Sequence, residues 1–242
     1  MKILALDSSA VAASVALCED TTLLAEYTIE SGNTHSRNLL PMVESILSLF
    51  DLSVDEIDLF ATSKGPGSFT GVRIGAATVK GLAFDTKKPC IGVSTLEALA
   101  ENLTMVTGLV VPVMNARRKQ VYTAIFRAEN GKTVRMTEDC AIAISELDEI
   151  LSSYDEPVYL VGDGYEITKE LLTHPTLVTH ERLRRQSAYS VAQVALKQYQ
   201  NGNITDDITM VPSYLRPSQA ERERNERLQN QSKIQKVGEE RI

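Results

Sequence analysis

Several residues in this 242-residue chain have types and spacings that invite chemistry. Asp7 ends the apolar run Ile3-Leu4-Ala5-Leu6, where a carboxylate could hold a metal-bound water beside a phosphate; Asp7-Ser8-Ser9 is equally good turn chemistry. Gly65-Pro66-Gly67-Ser68-Phe69-Thr70-Gly71 joins a strand to a helix, a place where backbone N–H groups and the helix dipole favour an anion. Val72-Arg73 stands where a Walker A loop would have Gly-Lys-Ser/Thr. A sharp turn with Ser68 as helix cap accounts for the loop equally well. Asn115-Ala116-Arg117-Arg118-Lys119 is the densest cationic stretch ahead of the C-terminal tail, either a solvated turn or a contact for a polyanion or partner. Cys18, Cys90 and Cys140 are far apart and form no ligand pair with His35, His174 or His180, so neither a zinc site nor any other metal site is expected. Three scattered thiols suit a reducing compartment, each packed as a small apolar residue. No Ser-His-Asp order, Cys-His pair or His-Glu-x-x-His motif stands out, and no catalytic nucleophile is visible.

These residues need elements to hold them. At 43% hydrophobic and 24% charged residues the chain has ample material for a core. No apolar run approaches the roughly 20 residues of a membrane helix, and residues 3–6 are too short for a secretory h-region. A cytoplasmic protein is expected. The net charge of -7 repels phosphate backbones except where cations cluster.

Apolar patterning predicts strands at 3–6, 11–17 and 21–29, a helix at about 35–50 begun by Asn33-Thr34, a strand at 58–62, a helix at about 71–84 and a strand at 90–93. The order then recurs, with strands at 109–114 and 120–126, a third within 132–143, a helix at about 145–151, a strand at 158–161 and a further helix. A last helix is predicted at 187–200. This gives two α/β lobes, 1–103 and 104–217, and a charged tail, 218–242, whose six basic and five acidic side chains leave it at +1.

Two helices carry most information. On the first, Leu39, Met42, Val43, Ile46 and Phe50 share a side that Leu40, Leu47 and Leu49 widen to about 180°, more than the roughly 100° that one buried face needs. Either it is sunk deep in its own core, or one flank packs on the sheet and the other on a partner. The second is apolar or small nearly all round. Arg73 and Lys80 lie on one stripe, and Gly71, Gly75 and Thr78 on another. Helical glycine costs about 1 kcal/mol against alanine, so this stripe predicts a close approach, internal or intermolecular.

Taken together, Ile3-Leu4-Ala5-Leu6-Asp7-Ser8-Ser9, His35-Ser36-Arg37-Asn38-Leu39-Leu40-Pro41-Met42, Gly65-Pro66-Gly67-Ser68-Phe69-Thr70-Gly71-Val72-Arg73-Ile74-Gly75 and Asn115-Ala116-Arg117-Arg118 resemble the bacterial TsaB (YeaZ) family. Gly162-Asp163-Gly164 and Tyr214-Leu215-Arg216 extend the match more weakly. The resemblance implies a two-lobed actin/hexokinase/heat-shock-chaperone ATPase-like α/β fold, each lobe a mixed sheet flanked by helices. It implies a non-catalytic partner of TsaD, with TsaE also bound, in the complex that makes threonylcarbamoyladenosine next to the anticodon of tRNA. The chain would then need no cofactor, ATP acting elsewhere in the complex, and would meet tRNA only through it. In the catalytic relative a His-x-Glu-Gly-His helix binds metal; here the nearest match is Thr95-Leu96-Glu97-Ala98-Leu99, and Leu99 has no ligating atom.

On this reading the helix pair is the partner surface, and forms a homodimer when TsaD is absent. Its expected residues are Ser36, Leu39, Leu40, Val43, Ile46 and Leu47 on the first helix. On the second they are Val72, Arg73, Gly75, Ala76, Val79 and Lys80. A charged side chain at Val43 or Gly75 should then abolish pairing and spare the fold. The rival is a small-molecule kinase or ATPase binding nucleotide through Asp7, Ser8, Gly65 and Gly67. A third reading is direct tRNA binding through Arg117, Arg118, Lys119 and the tail.

Overall fold

Ile3 and Ala5 face one side of the first strand and Leu4 and Leu6 the other, and both sides are covered, which is why the run is apolar without alternation. A computed structural model describes residues 1–32 and 34–216 of the chain; Asn33 and the charged tail lie outside them. The first sheet holds β1 (Lys2–Asp7), β2 (Ala13–Glu19), β3 (Thr22–Ile29), β4 (Leu59–Gly65) and β5 (Cys90–Ser94) in the order β3-β2-β1-β4-β5. The pairings of β1 with β2 and of β2 with β3 are antiparallel; β4 and β5 join in parallel.

Helices α1 (His35–Leu49) and α2 (Phe69–Ala83) cover the Leu4 and Leu6 side. Ser68 caps α2, its hydroxyl accepting from the Gly71 N–H at 3.3 Å, whereas Thr34 at the head of α1 makes no side-chain cap bond. The Ile3 and Ala5 side is covered by α6 (Ala188–Gln200) through Val191, Ala192 and Ala195. This helix falls in the second half of the sequence and returns to the first sheet.

The second sheet is built around β6 (Gly108–Asn115), flanked on one edge by β11 (Val158–Val161) in parallel. On the other edge lie β7 (Gln120–Thr123) and β8 (Phe126–Glu129). Asn115 pairs with Val121 and Gly108 with Ala128 in one uninterrupted antiparallel register, so β7 and β8 are a single strand opened at Ala124 and Ile125. Beyond it run β9 (Lys132–Arg135) and β10 (Cys140–Ala143), a third strand broken where Met136 and Thr137 both donate to the Ile125 carbonyl. The two sheets therefore repeat a 3-2-1-4 plan, the duplicated α/β architecture expected of the two-lobed actin/hexokinase class. Helix α3 (Thr95–Glu101) lies against β6 through Leu96 and Leu99, and α4 (Ile144–Leu151) and α5 (Tyr165–Leu171) cover the opposite face.

Cys18 and Cys90 are fully buried, and burial pushes their thiols up to about 12 and about 11. Both behave as small apolar residues. No helix among the described residues is long and apolar enough to cross a membrane.

Candidate functional site

Asp7, Ser8, Gly65 and Gly67 meet at the end of β1, and their polar atoms close on one another. The Ser9 N–H and hydroxyl donate to Asp7 Oδ1 at 2.8 and 2.7 Å, and the Ser63 hydroxyl donates to Oδ2. Ser8 donates through its hydroxyl to the Gly71 carbonyl at 2.9 Å. The Ser68 N–H, a natural phosphate donor, is taken by the Ser9 carbonyl at 2.7 Å. Gly65 has φ +112° and lies so close to the Ser213 carbonyl that a Cβ would overlap it; Gly67 stands in the same relation to the Ser9 carbonyl. Asp7 is 1% exposed, and burial raises its pKa in spite of these hydrogen bonds. Chemically this is a polar junction with Ser68 as a working helix cap: the Ser68 and Gly71 N–H groups are engaged within it, and both carboxylate oxygens of Asp7 accept hydrogen bonds.

The small stripe of α2 belongs to the same junction. A Cβ on Gly71 would overlap the Ser8 carbonyl, and one on Gly75 would stand 2.6 Å from Ser8 Oγ and 2.9 Å from Thr62 Oγ1. The close approach is internal, helix against strand end. Across the molecule, a cavity of about 270 Å³ between the lobes is lined by Val11, Ala12, Asp163, Tyr165 and Gln186. Arg185 pairs with Glu30 there, and Arg184 stacks on Tyr165 with its guanidinium carbon 3.5 Å from the ring centre while pairing with Glu166 at 2.8 Å.

At the positions matching the relative's metal helix, Thr95 and Leu99 are buried, and Leu99 is part of the second-lobe core. Glu97 faces Arg135 at 3.4 Å, whose other arm holds Asp139 at 2.5 Å. That donor set is wrong for a metal: a hydroxyl, a hydrocarbon and a carboxylate already paired with a guanidinium.

On the helix pair the expected residues separate. Leu39, Val43, Ile46, Leu47, Val72, Gly75, Ala76 and Val79 are buried within the chain's own core or junction. These eight fix the helices to the sheet, so a charge at Val43 or Gly75 attacks the fold and does not test pairing. Ser36, Leu40 and Arg73 are exposed and Lys80 half-buried. Leu40, 47% exposed, shares the outer surface with Pro41, Ala77 and Gly81, which are exposed, and half-buried Ile74.

Both cations of α2 turn to the C-terminal segment. Arg73 donates from Nε to the Tyr214 hydroxyl at 2.8 Å and lies 3.8 Å over the Phe69 ring, which packs on Tyr214 at 4.7 Å. Lys80 donates to the Ile208 carbonyl at 3.4 Å. Sequence reasoning missed Phe69 and the Tyr214 clasp; the only signal was a weak Tyr214-Leu215-Arg216 match, with no hint that it returns to α2.

The comparisons with known proteins agree with this architecture. A family model, TsaD: tRNA N6-adenosine threonylcarbamoyltransferase, matches residues 22–224. The Bacillus subtilis tRNA threonylcarbamoyladenosine biosynthesis protein TsaB is 36% identical over 172 residues, 71% of this chain and 75% of its own. The chain belongs to the TsaB (YeaZ) family. The Escherichia coli TsaB is 32% identical over 220 residues, covering 89% of this chain and 95% of the relative. A solved structure of YeaZ from Pseudomonas aeruginosa superposes with a TM-score of 0.78 at 26% identity, over 88% of this chain and 99% of that one. The TsaB relatives give the chain a role in tRNA threonylcarbamoyladenosine biosynthesis.

Proposed function

We propose that the protein is a non-catalytic scaffold subunit that binds TsaD through the outer face of α1 and α2, pairs with itself when TsaD is absent, and receives TsaE on the assembled complex. ATP then acts elsewhere in that complex, and this chain carries no cofactor of its own. The observation behind this reading is the outer helix face. Its inner side is saturated by the core, yet exposed Leu40, Pro41, Ala77 and Gly81 and half-buried Ile74 leave apolar and small residues on the outer side of both helices. Related chains carry matching surfaces, so one face serves both the homodimer and the heterodimer. A working interface of this kind buries about 800 Å² per partner. The non-catalytic part rests on chemistry: Thr95, Leu99 and the Arg135-paired Glu97 stand where the relative holds its metal.

Light scattering of the chain alone and mixed with TsaD tests the reading. Wild type should form a homodimer that exchanges into a one-to-one heterodimer. Leu40→Asp should weaken both by at least about tenfold, the value of roughly 1.4 kcal/mol, with an unchanged unfolding transition. Undiminished pairing of this variant would place the interface elsewhere. ATP turnover by the isolated chain, lost in Asp7→Ala, would instead return the function to a kinase.

A further inference from the structure

Arg117, Arg118 and Lys119 are three consecutive exposed cations, and all three have left-handed backbones, with φ of +64°, +53° and +58°. Such backbone costs about 1 kcal/mol or more per non-glycine residue and persists only where its surroundings enforce it. Here they do. Asp163 accepts the Asn115 N–H at 3.1 Å, and Asn115 Oδ1 accepts the Arg117 N–H at 2.8 Å. The Gln120 N–H donates to the Arg117 carbonyl at 3.1 Å, and the Ile144 N–H donates to the Lys119 carbonyl at 3.1 Å. The turn is a braced platform that carries three exposed cationic residues at the β6–β7 hairpin.

The turn also continues into a second set of groups. Tyr122, on the strand leaving it, lies 5.8 Å beneath the guanidinium of Arg216. Two residues back along the chain, Tyr214 packs on Phe69 and holds Arg73. The cationic turn and the Tyr122–Arg216 pair follow one another along β7 and make one cationic and aromatic track, on a chain whose net charge is -7.

We propose that this track is an RNA contact, with Arg117, Arg118 and Lys119 on phosphates and the Arg216–Tyr122 pair offering a planar surface to an unstacked base. It rests on the role in tRNA threonylcarbamoyladenosine biosynthesis and adds to the scaffold reading a direct hold on the substrate. RNA fits better than an acidic protein because the cations are interleaved with rings, and base stacking on tyrosine and arginine planes is how unpaired RNA is gripped. The acidic remainder of the chain keeps the hold local and dependent on the rest of the complex.

The test is binding of an unmodified tRNA transcript to the full chain, alone and mixed with TsaD, over a salt series. The variant is Arg117→Asn with Arg118→Asn, because asparagine tolerates left-handed backbone and removes charge without releasing the turn. Expected is about a tenfold weaker hold on tRNA and a log–log salt slope shallower by about 1.4, two phosphate contacts at roughly 0.7 each. Light scattering should show pairing with TsaD unchanged in the same variant, which separates this inference from the scaffold reading. An unchanged tRNA affinity and slope overturns it, as does failure of the wild-type chain to bind tRNA in either setting. Loss of TsaD pairing with tRNA binding intact makes the turn a protein contact and also overturns it. Heparin competing no better than its charge, and worse than tRNA, marks RNA as the ligand.

Discussion

Along the inner edge of α2, Gly71 and Gly75 lie against Ser8 and Thr62, while along the outer edge Ala77 and Gly81 face solvent, with nothing within 4 Å of a Cβ placed on Gly81. Similar small residues on one helix therefore meet different requirements. On the inside, the absence of a side chain lets the helix backbone reach the end of β1 and close the Asp7 junction. On the outside, nothing among the described residues requires it, and the helix is left with small exposed residues. The inner edge is explained by the fold; the outer edge is left over, and the scaffold reading draws on that remainder.

The two edges predict opposite signs for one substitution. Gly71→Ala drives a Cβ into the Ser8 carbonyl, backbone against backbone, and should destabilise the fold by about 3 kcal/mol, at the upper end for overpacking. Gly81→Ala meets open space, and the higher helix propensity of alanine should add up to about 1 kcal/mol. Urea midpoints of the two variants check this. Equal effects would mean that α2 does not approach β1 as described.

Asp7 offers a smaller and pH-dependent probe of the inner edge. Burial is the largest influence on it and outweighs the bonds from Ser63 and Ser9, so its folded pKa stands above the ordinary 3.8. Below 3.8 the carboxyl is neutral in both folded and unfolded chains. As pH climbs through the raised folded value the buried charge disfavours the fold, and that contribution to stability is lost. Asp7→Asn cannot ionise. Its stability relative to wild type should therefore improve as pH rises above 3.8 and level off beyond the raised value, riding on a constant offset from altered hydrogen bonds. Urea midpoints measured from pH 4 to 8 report the difference, and a gap independent of pH would mean the carboxyl is not raised.

Much of this was legible in the chain. The runs 3–6 and 109–114 named the central strands because a strand buried on both faces has no alternation to obscure it. The break at 136–139 was harder, since one strand split by a bulge reads as a single vague segment. Helix 187–200 was visible but its destination was not: periodicity gives a helix a buried side without naming what covers it. The wide apolar arc of α1 divides for the same reason: Leu39, Met42, Val43, Ile46 and Leu47 turn inward, while Leu40, Leu49 and Phe50 stay exposed. The Asp7 junction was legible as a set of residues and not as an arrangement, because turn chemistry and phosphate chemistry draw on the same Gly, Ser and Asp. Tyr214 was beyond reach, for its partner Arg73 is 141 residues away.

That clasp yields the smallest effect and bears on the outer edge. Tyr214→Phe removes the hydroxyl that accepts from Arg73 and keeps the ring on Phe69. The bond is exposed to water, so the loss of stability should stay within about 1 kcal/mol. Arg73, no longer held from the C-terminal side, would sample more rotamers at the rim of the proposed interface. Pairing with TsaD should then weaken about threefold, from the added ordering that binding requires of a loosened side chain. Stability and pairing thus separate the roles of Tyr214. A drop of 2 kcal/mol or more with normal pairing would make the segment a strap that holds α2 to the sheet, whereas intact stability with weaker pairing would make Tyr214 a positioning residue for the partner face.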